Sequence, residues 1–374
     1  MRSSASRITI RDVAKRAGVS FQTVSLVLNH PERVADETRE RVKRAIDALG
    51  FVPSMAARSL RSHPTRTLGC IFFGPRASYD NRSFQIQDTY LNNVVQMLTR
   101  VADSAGYAML QRNLPNADAD ALNEIRHLFA AGRIDGMVAV VGKGSHPILP
   151  ELERQGFPFV VFGTTNVEYP FVAQANDEAT ARIVDHLHAG GCRRIAFIGG
   201  QRDGHVNDDV NDRLRGFMRA MKQHRMRVDK RWLTAGDWTL ASGHRVAREL
   251  CKEESDRPDA LIFASDRMAL GALKGLHDLG IRVPDDVAVV GFDNMQYDEF
   301  SIPSLTSVHS PIHDMADAAV KFLLAHIEGK AKLAECQQVF EAPLVVREST
   351  PAVRAVPTPP ASAAPKNRRR SAVL

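Results

Sequence analysis

Apolar side chains in the first fifty residues recur at the three-to-four-residue spacing of helices, on three short segments. The pattern predicts helices over 10–17, within 20–29 and over about 35–49, with Gly18 breaking the chain between the first two. Ser20 stands just before the second helix and is a residue type that caps helix N-termini. The positions predicted to face inward are Val13, Ala14, Ala17, Val24, Val27, Leu28, Val42, Ala45, Ile46 and Leu49.

From Leu68 onward the pattern changes to short, continuously apolar runs separated by helix-sized segments. The runs are LGCIFF, GMVAVV, FPFVVFG, RIAFIGG, DALIFAS and DVAVVGF, and the helical segments cover 91–105, 119–131, 178–188, 212–224, 239–251 and 267–279. Apolar runs without alternation are typical of strands buried on both faces of a parallel sheet. Six or more such units predict two doubly wound α/β lobes, whose ligands would bind at the carboxyl ends of the strands.

Two segments carry neither pattern. The stretch FVPSMAARSLRSHPTRT is basic and too short to fold alone, so residues 54–66 are predicted to form a linker or hinge. Residues 351–374 are rich in proline, alanine and basic side chains and contain no leucine heptads, which predicts a disordered basic tail.

The net charge of +6 is unevenly distributed along the chain. Residues 1–66 contain 13 Lys and Arg against 6 Asp and Glu, whereas residues 67–350 contain 31 against 37. A basic head on an acidic body indicates that the head meets a polyanion. The four scattered cysteines have no metal-site spacing and predict reduced thiols. Without a long apolar run or an apolar N-terminal leader, we expect a cytoplasmic protein that makes no membrane contact.

The order of helix, glycine turn and capped second helix is typical of a helix-turn-helix, whose second helix enters the major groove of DNA. Gln22 can pair with an adenine edge, and Phe21 and Leu26 can pack on thymine methyl groups. The residues suited to phosphate oxygens are Ser20, Thr23, Ser25 and Asn29. The competing interpretation is a generic three-helix bundle with a solvated polar face, and the basic charge balance argues against it.

The stretch from ITIRDVAKRAGVSFQTVSLVLN to RSHPTRTLGCIF, almost free of gaps, resembles the N-terminus of the lac repressor family (the LacI/GalR transcriptional regulators). The resemblance continues more loosely to LVVREST near residue 350. It implies that PSMAARSLRS is a hinge helix that folds on operator DNA, with Leu60 wedged into the minor groove beside Ala57. Most family members have Arg where this chain has Leu26, so a guanine preference should be lost. The full set expected to contact DNA is Thr9, Ser20, Phe21, Gln22, Thr23, Ser25, Leu26, Asn29, Ala57 and Leu60.

The same resemblance implies that the body is a periplasmic-binding-protein-like sensor with a sugar-sized cleft between its lobes. Arg213 matches an arginine that clamps sugar hydroxyls, Asp293 a carboxylate at a strand end, and Trp238 an aromatic that packs on a sugar ring. Ser265 stands where the family usually has Asn, which implies a different hydroxyl pattern. Tyr90 lies where a long polar loop enters its helix and could face the cleft or the surface. Without the resemblance, Arg213 and Asp293 would be interpreted as structural ion pairs and Trp238 as a core residue.

These features predict the following organisation. A helix-turn-helix domain occupies 8–53, a hinge 54–66, an effector-binding and dimerisation domain 67–350, and a tail 351–374. The first lobe is expected at about 67–175 and 310–339, and the second at about 176–309 and 340–350. Two recognition helices must lie about 34 Å apart on DNA, so a homodimer and a pseudo-palindromic operator are expected.

The sequence predicts a transcriptional regulator controlled by a small effector, and repression of carbohydrate-utilisation genes is the function it favours. We expect this regulator to need no cofactor or metal. A periplasmic sugar-binding protein would share the body but not the head. An α/β enzyme is disfavoured because the chain lacks a GxGxxG after its first strand, a GxxxxGK[ST] loop, a GxSxG elbow and an HExxH pair. Whether the effector releases the protein from DNA or helps it bind stays open.

Overall fold

The computed structural model describes residues 9–29, 31–49, 64–73, 89–114, 119–141, 146–165, 167–202, 205–206 and 208–352. The predicted hinge residues Ala57 and Leu60, and the predicted tail from residue 353 onward, lie outside the described residues. Within the described ranges, no helix has the length and apolar character needed to cross a membrane.

The N-terminal head contains three helices, α1 (Ile10–Ala17), α2 (Phe21–Asn29) and α3 (Asp36–Leu49). Gly18 has a φ of 63°, which a residue with a side chain adopts only at a cost, and this conformation ends α1 and starts the turn. The Ser20 hydroxyl accepts the Thr23 backbone N–H at 3.1 Å, the capping bond that the sequence predicts for α2. The buried core of the head consists of Val13, Ala14, Ala17, Val24, Val27, Val42 and Ala45.

The first sheet of the body is entirely parallel. Its strands are β1 (Thr67–Phe73), β2 (Ala108–Leu114), β3 (Gly136–Val140), β4 (Phe159–Phe162), β5 (Phe171–Gln174) and β12 (Gln337–Phe340), in the order β12-β5-β4-β3-β1-β2. The helices that cover it are α4 (Thr89–Ser104), α5 (Ala119–Ala130), α6 (Leu149–Arg154) and α11 (Ile312–Ile327). Leu68 and Cys70 pack with α4 and α11, whereas Ile71 and Phe73 pack with α5 and α6. Apolar side chains on both faces are the reason that the sequence of β1 shows no alternation.

The second sheet is parallel except at two edges. Its strands are β6 (Ile195–Arg202), β7 (His205–Val206), β8 (Leu233–Gly236), β9 (Ala260–Phe263), β10 (Ala288–Asp293), β11 (Thr306–His309) and β13 (Leu344–Val345). They follow the order β13-β11-β10-β9-β6-β7, with β8 also paired to β6, and β7 and β13 run antiparallel. The helices beside it are α7 (Asn176–Ala189), α8 (Asp208–Gln223), α9 (Leu240–Cys251) and α10 (Asp266–Asp278). The predicted fold class, a helical head joined to two doubly wound α/β lobes, is confirmed.

Glycines bring neighbouring helices of the second lobe into backbone contact. A Cβ at Gly216 on α8 would overlap the carbonyl oxygen of Asp177 on α7. Between α9 and α10, a Cβ at Gly243, Gly271 or Gly275 would overlap backbone atoms of the facing helix. The helices therefore meet without an intervening layer of side chains.

Replacing Gly216 with alanine should lower the free energy of unfolding by about 1–3 kcal/mol, because α8 must move away from α7 to admit a methyl group. Urea denaturation measures this loss. Gly190→Ala is a matched control, since its added Cβ would meet its nearest neighbour, Pro351, at 3.3 Å. Equal losses in the two variants would show that the α7–α8 contact is less tight than described.

Candidate DNA-binding surface and effector site

The second helix of the head separates an apolar face from an outward face. Val24 and Val27 are buried in the head, whereas Phe21 is 46% exposed and Gln22 is exposed beside it. Leu26 is half-buried and lies outside the apolar core of the head. The outward face of α2 therefore begins with an exposed apolar ring next to an exposed polar side chain, a pair that can contact both the methyl groups and the polar edges of bases.

The polar residues predicted to contact DNA, other than Gln22, divide into three groups. The Ser20 and Thr23 hydroxyls lie 2.9 Å apart at the start of α2, and Ser25 is half-buried one turn further along. Thr9 donates its backbone N–H and its hydroxyl to the Asp12 carboxylate at 2.8 and 2.7 Å, so its hydroxyl hydrogen is already used. These bonds from Thr9 lower the pKa of Asp12. Asn29 ends α2, and its side chain lies outside the described part of the chain.

The centre of the effector site predicted from the sequence is Arg213, which lies on α8 and is 4% exposed. Its Nε–H donates to Asn176 Oδ1 at 3.0 Å, and its Nη1–H donates to the carbonyl oxygen of Ala264 at 2.6 Å. Its guanidinium carbon lies 3.7 Å from the centre of the Phe292 ring. The cation is therefore held by groups from α7, from the end of β9 and from β10.

A carboxylate that sequence reasoning did not single out completes this environment. Asp209 lies one turn before Arg213 on α8, and its Oδ2 is 3.3 Å from Arg213 Nη2. Its side chain is a quarter exposed. Burial raises the pKa of Asp209, and the adjacent Arg213 offsets only part of that effect. The sequence places α8 from residue 212, whereas the helix begins at Asp208, which brings Asp209 onto the same face as Arg213.

The other predicted second-lobe residues lie at the carboxyl edge of the second sheet. Trp238 follows β8 with a φ of 68°, and its ring covers Gly200 of β6 so closely that a Cβ there would overlap it. Asp293 ends β10 with a φ of 117°, and the Ser310 hydroxyl lies 3.5 Å from its Oδ1. Because β8, β6, β9 and β10 are neighbours, these side chains and Arg213 come together at one edge.

Ser265 lies at the same edge but is used by the fold. Its hydroxyl oxygen accepts the Met268 backbone N–H at 3.3 Å and so caps α10. Its hydroxyl hydrogen can still be donated to a ligand, whereas the Asn typical of the family would offer two donors and an acceptor.

The first lobe contributes at two points. Tyr90 is half-buried against the core formed by α4 and α11. Asn93, one turn later on α4, donates through Nδ2 to the sulfur of Met295 at 3.3 Å, and Met295 follows β10 of the second sheet. Asn93 thus makes a contact between the lobes.

A second set of contacts lies where the chain passes from β5 to α7. The Thr165 hydroxyl donates to Asp212 at 3.4 Å, and Gln174 Nε2 donates to Asn176 Oδ1 at 3.1 Å. A cavity of about 420 Å³ lies here, lined by Thr165, Gln174, Ala175, Asn176, Asp177, Glu178, Asp212, Arg215, Arg219 and Val339. Asn176 lines this cavity and also accepts the Nε–H of Arg213, so it links the lobe junction to the predicted effector residue Arg213.

The chain matches known proteins in both of its parts. Residues 9–54 match the family described as bacterial regulatory proteins, lacI family, and residues 184–350 match the periplasmic binding protein-like domain. The HTH-type transcriptional repressor PurR of Salmonella newport strain SL254 is 31% identical over 340 residues, which cover 88% of this chain and 94% of that protein. The chain belongs to the lacI family of bacterial regulatory proteins.

Solved structures agree with this assignment. The lac repressor dimer bound to operator and the anti-inducer ONPF superposes with a TM-score of 0.80 at 25% identity, covering 92% of this chain and 99% of the other. The complex of the transcriptional regulator CelR with cellobiose gives a TM-score of 0.64 at 30% identity, covering 92% and 100%. This lacI-family chain is therefore a DNA-binding transcriptional regulator and not an enzyme.

The regulator also buries two carboxyl groups together, on the segments that follow β9 and β10. Asp266, the first residue of α10, accepts the Met295 backbone N–H at 2.9 Å and the Ser307 hydroxyl at 2.5 Å. The Asp298 carboxyl lies next to that of Asp266, close enough for a hydrogen bond between them when one of the two is protonated. Burial raises the pKa of Asp298 to about 6, and burial followed by the charge of Asp298 raises that of Asp266 well above its ordinary value. The pair therefore holds a proton under conditions where isolated aspartates would be ionised.

Within the described ranges, no cluster of three or more His, Cys, Asp or Glu side chains is placed to hold a metal ion. Cys70, Cys192 and Cys251 are buried free thiols, and Cys336 is partly exposed.

Replacing Asp298 with asparagine should flatten the dependence of stability on pH. The folded wild-type protein keeps a proton that the unfolded chain releases, so its free energy of unfolding falls as the pH rises from about 4 to about 6. The variant, which lacks this group, should lose about 2 kcal/mol less over that interval. Urea denaturation at pH 4, 5, 6 and 7 measures the difference. The exposed Asp285→Asn is the control, and parallel profiles for Asp298→Asn and the wild type would contradict the shared proton.

Proposed function

We propose that this regulator represses carbohydrate-utilisation genes in the cytoplasm by binding a pseudo-palindromic operator as a homodimer. A small sugar-like effector in the Arg213 site controls the affinity for DNA. The observation that carries this proposal is the meeting of Arg213, Trp238 and Asp293 at one sheet edge, within a chain that also presents a helix-turn-helix. The organisation proposed is a DNA-binding domain at 8–53, a hinge at 54–66 and a sensor at 67–350.

On the DNA side, Phe21 and Gln22 read base edges because they are the exposed side chains at the start of α2. Leu26 adds an apolar contact and no donor, so the operator lacks the guanine that an arginine there would select. The residues that contact phosphates are Thr9, Ser20, Thr23, Ser25 and Asn29. Ala57 and Leu60 enter the minor groove when the hinge folds on DNA.

On the effector side, the site offers an aromatic ring, a carboxylate at a strand end and a guanidinium. Trp238 packs on the apolar face of a sugar ring, while Asp293 and Ser265 bond its hydroxyls and Tyr90 closes the site from the first lobe. The likeness to a cellobiose complex of the regulator CelR supports a carbohydrate effector. A planar heterocyclic base would also stack on Trp238, but it would offer Asp293 fewer N–H or O–H groups than a sugar does.

Two exposed apolar side chains support a dimer. Phe300 is 75% exposed and Ile302 is 94% exposed, on the segment that follows β10. Two large apolar side chains so close in sequence are rarely both exposed to solvent. A second copy of the chain would cover this apolar surface. The lac repressor, which has a similar fold, was solved as a dimer on its operator.

Control of DNA binding acts through the contacts between the lobes. Asn93–Met295 and Thr165–Asp212 both cross from one lobe to the other, so a ligand that changes lobe closure changes them. A tenfold change in operator affinity needs about 1.4 kcal/mol of coupling, within the usual range for allosteric proteins.

Replacing Leu26 with arginine should shift operator preference towards guanine at one symmetric pair of positions, because arginine donates two hydrogen bonds to that base. A selection from randomised double-stranded DNA, with wild type and variant in parallel, measures the preference. Lys43→Arg on α3 changes a long basic side chain without altering α2 and serves as the control. An unchanged preference in the Leu26 variant would mean that this position does not face the bases.

Replacing Arg213 with lysine should abolish the effector response while operator affinity stays within about threefold, because lysine keeps the charge but loses the fork that bonds two oxygens. The measurement is DNA binding by fluorescence anisotropy during a titration with a sugar. The sugar is chosen beforehand because it raises the temperature of thermal unfolding of the wild type. Arg245→Lys, an exposed residue on α9, is the control. A retained response would place the effector elsewhere.

A further inference from the structure

The effector site holds an arginine whose positive charge is already compensated. Two of the three guanidinium nitrogens of Arg213 donate hydrogen bonds, to Asn176 and Ala264. The third, Nη2, lies 3.3 Å from the Asp209 carboxylate and forms an ion pair with it. A ligand that enters the site therefore meets an ion pair rather than an isolated cation.

The groups that remain near this ion pair are mainly acceptors. Asp293 adds a second carboxylate at the same sheet edge. Further along the same chain of hydrogen bonds, Gln174 donates to Asn176, while its own buried Oε1 has no partner among the described residues. Acceptors of this kind are satisfied by a ligand rich in O–H or N–H groups.

An anionic ligand would fit this arrangement poorly. A negative group bound to the guanidinium of Arg213 would lie beside the Asp209 carboxylate, which is 3.3 Å from Nη2, and at the edge that carries Asp293. Like charges brought together in a partly buried site repel, since little water remains to screen them.

We propose that Asp209 sets the charge class of the effector. The ligand is a neutral polyhydroxy compound or one that carries an ammonium group, and a sugar acid or sugar phosphate is rejected. This inference rests on the proposed function in placing the effector at Arg213, but its main test needs no knowledge of the effector or of the operator.

The test uses inorganic phosphate as the probe, on the full chain, titrated against chloride at constant ionic strength and followed by thermal unfolding. The wild type should show no saturable stabilisation by phosphate in the millimolar range. Asp209→Asn keeps the shape of the side chain but removes its charge, so Arg213 should become available and the affinity for phosphate should rise at least tenfold. Asp209→Ser is the second variant, in case the first folds poorly.

Two controls connect the gain to this ion pair. Asp208→Asn makes the same change of charge one residue earlier on α8, where the charge acts on Asp209 without contacting Arg213, and should raise the affinity for phosphate far less. Adding Arg213→Lys to Asp209→Asn should reverse most of the gain, because lysine cannot bond two phosphate oxygens in the same fork. Saturable binding to the wild type, no gain in either Asp209 variant, or an equal gain in Asp208→Asn would each overturn the proposal.

A second arm examines ligands on one carbon skeleton. Glucose, glucosamine, gluconate and glucose 6-phosphate, with their galactose counterparts, are titrated against wild type and Asp209→Asn. If an acid or phosphate binds the wild type more tightly than its neutral or amino counterpart, the charge assignment is wrong. If phosphate behaves as expected while no sugar changes operator binding, the charge inference stands and the proposed sugar control fails.

Discussion

The cation of Arg213 is the constraint around which the second lobe is arranged. An arginine that is 4% exposed must be given acceptors and a counter-charge, or its burial would cost several kcal/mol. Asn176 comes from α7, the Ala264 carbonyl from the end of β9, the Phe292 ring from β10 and Asp209 from α8 itself. One side chain thus fixes the relative positions of four elements. None of these elements can move alone without breaking a contact to Arg213.

The same edge concentrates conformations and charges that a protein usually avoids. Trp238 and Asp293 have positive φ values without being glycine, and Asp266 and Asp298 are buried as a pair of acids. Each feature costs of order 1–3 kcal/mol and persists only where the surroundings enforce it. Such costs cluster at binding sites, so their position here agrees with the site that the family resemblance points to.

Sequence reasoning was most successful where a local rule determines the outcome. The spacing of Val13, Ala14 and Ala17 and the capping residue Ser20 specify the head, and the continuous apolar runs specify six buried strands. The strand β2 was missed because it lies at a sheet edge, where most of its residues are only half-buried and carry no continuous apolar run. Strand β5 was missed because its apolar run covers only three residues, from Phe171 to Ala173, and ends at Gln174.

The candidate site was predictable only in part, for a related reason. Arg213, Trp238 and Asp293 stand in motifs that resemble the family, so each could be named one at a time. Asp209 could have been found from its spacing of four residues before Arg213 on one helix face. The pairing of Asp266 with Asp298 and of Asn93 with Met295 joins segments that are distant in sequence, and no local pattern records such contacts.

The glycine contacts between α9 and α10 have a mechanical consequence. Helices usually slide past one another by changing the rotamers of the side chains between them, and the backbones of this pair meet with no such layer. Sliding would therefore force backbone atoms of the two helices to overlap. The two helices thus move together as one rigid unit. Movement between states of this regulator must then take place as rotation of whole lobes about the chain crossings, while the interior of the second lobe keeps its shape.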